Sequence, residues 1–300
     1  MLFDNIITGL NDVIFTTTDY GIIINDDCLQ GLKKIKDDSV NVVITSPPYA
    51  NKRKKAYGGI ETVHYIEWFK PIAKELYRVL KKDGSFFLNI KGHPVGGIYN
   101  LYVFDLILTL YRELNFKLID IFCWTKSGYP GNFKNRFKNA WEPIFHFAKS
   151  SDIAIYKSNV VQPMKKESLA RAKRKYTGQT KNKSGLQCVC ASKNMKNRKI
   201  AYPSNHLHIP NVLNQYSDNK WHPAVFRIEV PEFFIRAFSK ENDIVLDPFM
   251  GSARTAIAAV WYKRNYIGFE INKEYFIKSS KSIETKTGLK SKVFGQQEVI

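Results

Sequence analysis

Short apolar runs alternate with stretches whose apolar residues fall at helical spacing, and this alternation limits the folds open to the chain more than any other feature. Gly21-Ile22-Ile23-Ile24-Asn25 reads as a buried strand, and Val40-Asn41-Val42-Val43-Ile44-Thr45 as a second that stops at Pro47-Pro48. Ile66, Phe69, Ala73, Leu76 and Leu80 then recur at spacings of three and four, the apolar stripe of a helix that Asp83-Gly84 stops. Ser85 to Ile90 is a third strand, Leu101 to Leu114 a helix, and Phe116 to Trp124 and Pro143 to Ala148 two further strands. The pattern resumes after Pro223 with a helix from Glu229 to Ser239, a strand from Asp243 to Leu246, a helix from Ala253 to Tyr262 and a strand from Asn265 to Phe269. Such a series predicts an α/β sheet with right-handed crossovers.

Charge separates the two patterned segments. The chain carries 46 Lys and Arg against 27 Asp and Glu, a net +19. Residues 151–220 hold 14 of those cations and three acids, a net +11, which leaves +8 for everything else. This window is rich in Asn, Ser and Gln and lacks regular periodicity, so it reads as an inserted, loop-rich module. An excess of this size suits a polyanion, with nucleic acid the first candidate. Cys28, Cys123, Cys188 and Cys190 are too few and too scattered for a disulfide framework, which points to a reducing cytoplasm. The start lacks the features of a secretory signal, and no apolar run is long enough to span a membrane.

Two short motifs carry chemistry. Asp247-Pro248-Phe249-Met250-Gly251-Ser252-Ala253 lies between a predicted strand and a predicted helix, and Glu270 ends the next strand. A tight turn of small residues lets a ligand approach the backbone, and a downstream acid accepts hydrogen bonds from ribose hydroxyls. G-x-G-x-x-G is absent, and Asp247 would repel a pyrophosphate. The turn suits a ligand with a cationic amino group, such as the methionine end of S-adenosylmethionine (SAM). The other motif, Thr45-Ser46-Pro47-Pro48-Tyr49, is a rigid turn at a strand's end. It aims the Ser46 hydroxyl and the Pro47 carbonyl outward as acceptors, and Tyr49 offers a face on which a base can stack. That combination suits a flipped nucleobase bearing an exocyclic amine.

These residues resemble the amino-methylating DNA methyltransferases. The catalytic motif of that family is [D/N/S]-P-P-[Y/F/W], here Ser46-Pro47-Pro48-Tyr49, and its SAM motif D-P-F-x-G-S-G-T-T corresponds to Asp247 to Thr255. The order, catalytic motif first and SAM motif last, resembles the beta class, and the likeness runs from about Gly21 to Ile277, including His222 to Phe226. It implies a Rossmann-like, seven-stranded mixed sheet, with the strands ending at Thr45 and Asp247 side by side. It also implies a division into a catalytic half (1–150), an inserted target-recognition region (151–220) and a SAM-binding half (221–300) of the same domain.

By that resemblance, Ser46 and the Pro47 carbonyl hold the target amine, Pro48 stiffens the turn and Tyr49 stacks on the base. Asp247, Pro248, Phe249, Gly251, Ser252 and Glu270 bind SAM, with Asp27 against or near its adenine. Asp26 departs from the usual Gly before that Asp, Arg227 from a common Pro, Arg254 from a Thr and Ala253 from a Gly. Ala253 keeps the turn if its φ stays negative. Family members with Ser in the catalytic motif mostly modify cytosine at N4, and those with Asp mostly adenine at N6. The expected activity is therefore N4-cytosine methylation of double-stranded DNA. N6-adenine methylation and a catalytically silent DNA-binding subunit are the alternatives. A cognate restriction endonuclease and a homodimer are compatible partners, in a prokaryotic cytoplasm where DNA holds the protein at the nucleoid.

Other residues bear on function more weakly. Lys52, Arg53, Lys54 and Lys55 follow the catalytic turn and suit phosphate contacts, as do Arg171, Arg174 and Lys175 in the basic window. Cys188-x-Cys190 and His206-x-His208 are too tightly spaced for an ordinary zinc site and read as loop residues, so no metal is expected. Trp124-Thr125-Lys126 and Trp141-Glu142-Pro143 are placed beside the target-base pocket by the resemblance. No cysteine follows a proline, so the covalent nucleophile of C5-cytosine methylation is missing, and an exocyclic amine needs none.

Overall fold

The computed structural model describes residues 3, 5–52, 59–126, 134–164, 166, 168–169, 199–210, 221–222 and 227–295. The chain falls into two compact units, Met1–Tyr156 with Asn205–Ile300, and Lys157–Ser204. The second unit lies within the basic window, and its described part holds one short antiparallel ladder.

The strands in chain order are β1 (Ile14–Thr18), β2 (Gly21–Asn25), β3 (Val40–Thr45), β4 (Leu80–Asn89), β5 (Pro94–Val95), β6 (Ile98–Tyr99), β7 (Lys117–Thr125), β8 (Trp141–Ala148), β9 (Gln162–Pro163), β10 (Ile200–Ala201), β11 (His206–His208), β12 (Ile244–Asp247), β13 (Asn265–Phe269) and β14 (Lys292–Phe294). The α-helices are α1 (Cys28–Lys33), α2 (Tyr65–Val79), α3 (Tyr102–Arg112), α4 (Glu229–Phe238), α5 (Arg254–Trp261) and α6 (Lys273–Thr287). β9 pairs with β10 in the second unit, and β5 with β6 in a small hairpin of the first.

The main sheet has ten strands in the order β11-β7-β8-β4-β3-β12-β13-β2-β1-β14. Seven of them, β7 through β2 in that order, form the expected mixed sheet, with β8 antiparallel to both its neighbours. Three more strands extend its edges. β11 adds in parallel beside β7, while β1 turns back on β2 and then pairs with β14, where Phe15 stacks on Phe294 at 5.1 Å.

The central strands read as nearly continuous apolar runs because both their faces are covered. On one face Phe86 packs against Phe116 and Phe147, in a core that includes Phe69, Leu76 and Leu106 from α2 and α3. On the other, Phe87 stacks on Phe234 of α4 at 4.1 Å and on His146 at 4.4 Å. α2 turns Tyr65, Phe69, Ile72, Ala73, Leu76 and Val79 inward, the stripe that its spacing predicts. It ends earlier than Asp83-Gly84 suggests. Leu80 leaves the helix with an extended backbone (φ −66°, ψ 135°), and β4 begins there, because Leu80 pairs with Val40 across β3.

Candidate active site

Both chemical motifs stand where the two central strands end. β3 and β12 run parallel and adjacent, with Val42 opposite Val245 and Val43 opposite Leu246. After β3 the chain crosses to β4 on one side, and after β12 it crosses to β13 on the other. The carboxyl ends of β3 and β12 therefore open at the switch point of the sheet, where α/β folds bind ligands.

The loop after β12 is built around two buried acids. The Oδ1 of Asp247 accepts from the Thr45 hydroxyl at 2.8 Å and from the Phe249 N–H at 3.1 Å. Its Oδ2 accepts from the Thr255 hydroxyl at 2.7 Å. Burial pushes the Asp247 carboxyl up to about 6, and those three donors oppose the shift. Glu270, at the end of β13, accepts from the Gly251 N–H at 3.0 Å and the Asn272 N–H at 2.9 Å. Its carboxyl is also raised, by burial first, against the pull of those two N–H donors and with Asp247 adding to the rise. No described cationic side chain pairs with either acid. Two desolvated carboxylates without a counter-ion favour a ligand that carries positive charge.

The loop backbone is closely packed at its glycine. Gly251 has φ +51°, and a Cβ there would meet the His222 ring at 2.8 Å. The Ser279 hydroxyl holds the Gly251 carbonyl at 2.5 Å. Ser252 is buried and Pro248 is in the buried end of the strand-to-loop junction, while Phe249 packs on Trp68 and Phe69 at 5.8 and 6.5 Å. Ala253 does not keep a negative φ. It takes the left-handed conformation (φ 60°, ψ 24°) as it leads into α5. The turn imposes it, since the Ala253 N–H bonds the Met250 carbonyl while the Ala253 carbonyl already accepts from Ile257.

At the end of β3, the Tyr65 phenol donates to the Pro48 carbonyl at 2.8 Å, whereas no described residue donates to the Pro47 carbonyl. Tyr49 is half-buried, and its hydroxyl lies 3.2 Å from both Asn89 Oδ1 and Glu142 Oε2. The neighbouring Ser46 side chain acts on the same phenol in the sense that favours phenolate. Burial and the Glu142 charge together hold the Tyr49 phenol protonated. Asn89 donates its amide to the Pro143 carbonyl at 3.0 Å, which turns its Oδ1 toward Tyr49. Glu142 Oε1 takes the Lys126 ammonium at 2.5 Å, and that ammonium sits 3.8 Å from the centre of the Trp124 ring. Burial lowers both Lys126 and nearby Lys91, with Glu142 opposing.

The sequence profile of a family of DNA methylases (N6_N4_Mtase) matches residues 40–281. The chain belongs to that family. The methylase is 34% identical over 288 residues to the type II methyltransferase M.PvuII of Proteus hauseri, covering 88% of this chain and 84% of the relative. The solved PvuII DNA methyltransferase (cytosine-N4-specific) superposes with a TM-score of 0.66 at 27% identity, over 91% of this chain and 92% of that one. The DNA adenine methyltransferase YhdJ of Escherichia coli (strain K12) is 28% identical over 84% of this chain and 79% of its own length. The fold is shared with a DNA modification methylase of Thermus thermophilus in complex with S-adenosyl-L-methionine, with a TM-score of 0.56 at 20% identity over 87% of this chain and 93% of that one.

The structure of the methylase gathers some of the residues singled out above and separates others. Asp247, Phe249, Gly251 and Glu270 share one loop system, and the Thr45–Asp247 hydrogen bond ties it to the strand that leads into Ser46. Asp27, at the end of β2, caps α1 by accepting from the Leu29 and Gln30 N–H groups at 2.9 and 3.3 Å. Lys52 is exposed just past Tyr49. Arg53, Lys54, Lys55, Arg171, Arg174, Lys175, Cys188 and Cys190 lie outside the described residues. His206 and His208 are strand residues rather than loop residues, and both rings hydrogen-bond the Thr125 hydroxyl, at 2.9 and 3.2 Å. Asn89 and Ser279 escaped the sequence reading, for neither belongs to a local motif, and the sequence shows Thr45 only as the start of the turn, without its bond to Asp247.

Proposed function

We propose that the methylase transfers the methyl group of SAM to the exocyclic N4 of cytosine in double-stranded DNA. The observation that carries this reading is the 2.8 Å hydrogen bond from Thr45 to Asp247, which fastens the base-binding turn to the small-residue loop. The buried acids Asp247 and Glu270 fit SAM because no cationic side chain among the described residues pairs with them and SAM brings a sulfonium and an ammonium. When bound, SAM supplies an electrophilic methyl group. Asp247 receives the ammonium of its methionine end, Glu270 its ribose hydroxyls, and Pro248, Phe249, Gly251 and Ser252 shape the loop around it. Asp27 lies toward the adenine. Ser46 and the Pro47 carbonyl accept the amine hydrogens and draw the nitrogen toward tetrahedral geometry, while Tyr49 stacks on the flipped base.

The choice of cytosine rests on Ser46 and on the likeness to the cytosine-N4-specific PvuII enzyme. The target-recognition region is residues 151–220, whose net +11 suits DNA phosphates. Arg171, Arg174 and Lys175 there, with Lys52, Arg53, Lys54 and Lys55 beside the pocket, hold the backbone. A restriction endonuclease of the same specificity belongs to this reading, as does a homodimer.

The test is methylation of unmodified DNA with SAM, followed by digestion to nucleosides and mass spectrometry. N4-methyldeoxycytidine is the expected product. Methyl groups on deoxyadenosine alone would replace cytosine by adenine N6 and leave the family and the fold standing.

A further inference from the structure

Methylating an exocyclic amine leaves one proton too many on the nitrogen, and neither motif supplies a base to take it. The groups around Tyr49 do. The Ser46 side chain neighbours the Tyr49 phenol and opposes the rise in its pKa, and the phenol donates to Glu142 Oε2 at 3.2 Å. A Ser46 hydroxyl that donates to Tyr49 keeps its lone pairs for the amine. That polarity lets a proton travel away from the base.

Glu142 suits the far end of such a chain. It stands on β8, and its other oxygen is paired with the Lys126 ammonium at 2.5 Å. Both partners are largely shielded, with side-chain exposures of 15% and 10%. The pair holds the carboxylate in one orientation, toward the phenol, and the Trp124 ring holds the ammonium. Asn89 also faces the Tyr49 hydroxyl at 3.2 Å, but a neutral amide oxygen is a poorer proton acceptor than a carboxylate. The titratable groups that face this cluster are Tyr49 on the turn, Lys91 past β4, Lys126 on β7 and Tyr102 on α3.

We propose that Glu142 is a positioning residue and proton sink for methyl transfer, acting through a Ser46–Tyr49–Glu142 relay. The step balances. The S–CH3 bond breaks as the N–CH3 bond forms. The surplus amine proton passes to Ser46 Oγ, the Ser46 proton to the Tyr49 oxygen and the Tyr49 proton to Glu142 Oε2. Glu142 returns it to solvent after the product leaves. The inference rests on the reading of Ser46 to Tyr49 as the catalytic turn.

The test compares single-turnover methylation at saturating SAM in the wild type, Glu142→Gln, Tyr49→Phe and the double variant. Glu142→Gln keeps one acceptor oxygen, for Lys126, and removes the carboxylate that would take the Tyr49 proton. Tyr49→Phe keeps the stacking ring, and melting curves check the fold of each. Each single change should slow transfer by about 10- to 100-fold with DNA affinity unchanged, since a positioned proton acceptor is worth at least that much. The double variant should be no slower than the slower single one, and the acid limb of the wild-type rate–pH profile should vanish in Glu142→Gln. A fully active Glu142→Gln beside an active wild type overturns the relay alone. So does a double variant that loses the product of the two single effects, or an acid limb that persists in Glu142→Gln. A wild type that transfers no methyl group to DNA overturns the reading of the catalytic turn, and the relay with it.

Discussion

Asp247 is held by three hydrogen bonds and by no cationic side chain among the described residues, and burial raises its carboxyl to about 6. In the folded ligand-free protein it binds a proton more tightly than in the unfolded chain. Its contribution to stability is therefore present at low pH and is lost as pH rises through about 6. Asp247→Asn should stabilise the ligand-free protein at pH 7 by about 1–3 kcal/mol while abolishing SAM binding. Melting curves and calorimetry read the two effects separately, and a destabilised variant that still binds SAM would refute the assignment. His146 has the opposite sign. Burial beside Phe87 lowers it to about 4, so its contribution is lost as pH falls from the ordinary histidine range toward 4. The two oppose each other in the wild type, and the Asp247→Asn variant should lose stability more steeply on acidification. Ala253 carries a left-handed strain that Gly lacks, so Ala253→Gly should gain about 1 kcal/mol after the extra chain entropy of Gly is counted. An equal or lower melting temperature in that variant would contradict the strain argument.

The central elements were readable because burial on both faces turns a strand into a plain apolar run. β3, β12 and β13 show this most clearly. Phe87 of β4 marks the strength of that packing, for it is fully buried between His146 and the phenylalanines of α4. Phe87→Ala should cost about 3–5 kcal/mol in a urea titration. A loss below about 1 kcal/mol would mean that this face of the sheet is not closed as described. The edge elements gave the sequence less to show. β1 is mostly Thr, β14 is exposed, and α6 carries a polar sequence with few buried residues. The early end of α2 was hidden because Leu80 is apolar and falls in helical register, while its pairing with Val40 is a tertiary fact. In the site, Ser46 to Tyr49 and Asp247 to Ser252 were legible as local motifs. The Thr45–Asp247 and Tyr49–Glu142 contacts were not, because they join residues 202 and 93 positions apart.

At the scale of the whole molecule, positive charge is concentrated in residues 151–220. DNA affinity should therefore fall with salt, with a log–log slope of about −0.9 for each phosphate neutralised. Reversing the charge of Arg174 and Lys175 should weaken binding to all sequences and flatten that slope, as titrations at several salt concentrations would show. Affinity and slope that survive the change would remove the region from the DNA interface. Among the described residues no helix is long and apolar enough to cross a membrane. The central claim is that the loop at the end of β12 and the turn at the end of β3 form one methyl-transfer site. A crystal structure with a non-reactive SAM analogue tests it most directly. The account predicts density over the carboxyl end of β12, with the amino group at Asp247, the ribose at Glu270 and the transferable end toward Ser46 and Pro47. An analogue bound elsewhere, or one whose reactive end points away from Ser46, would contradict it.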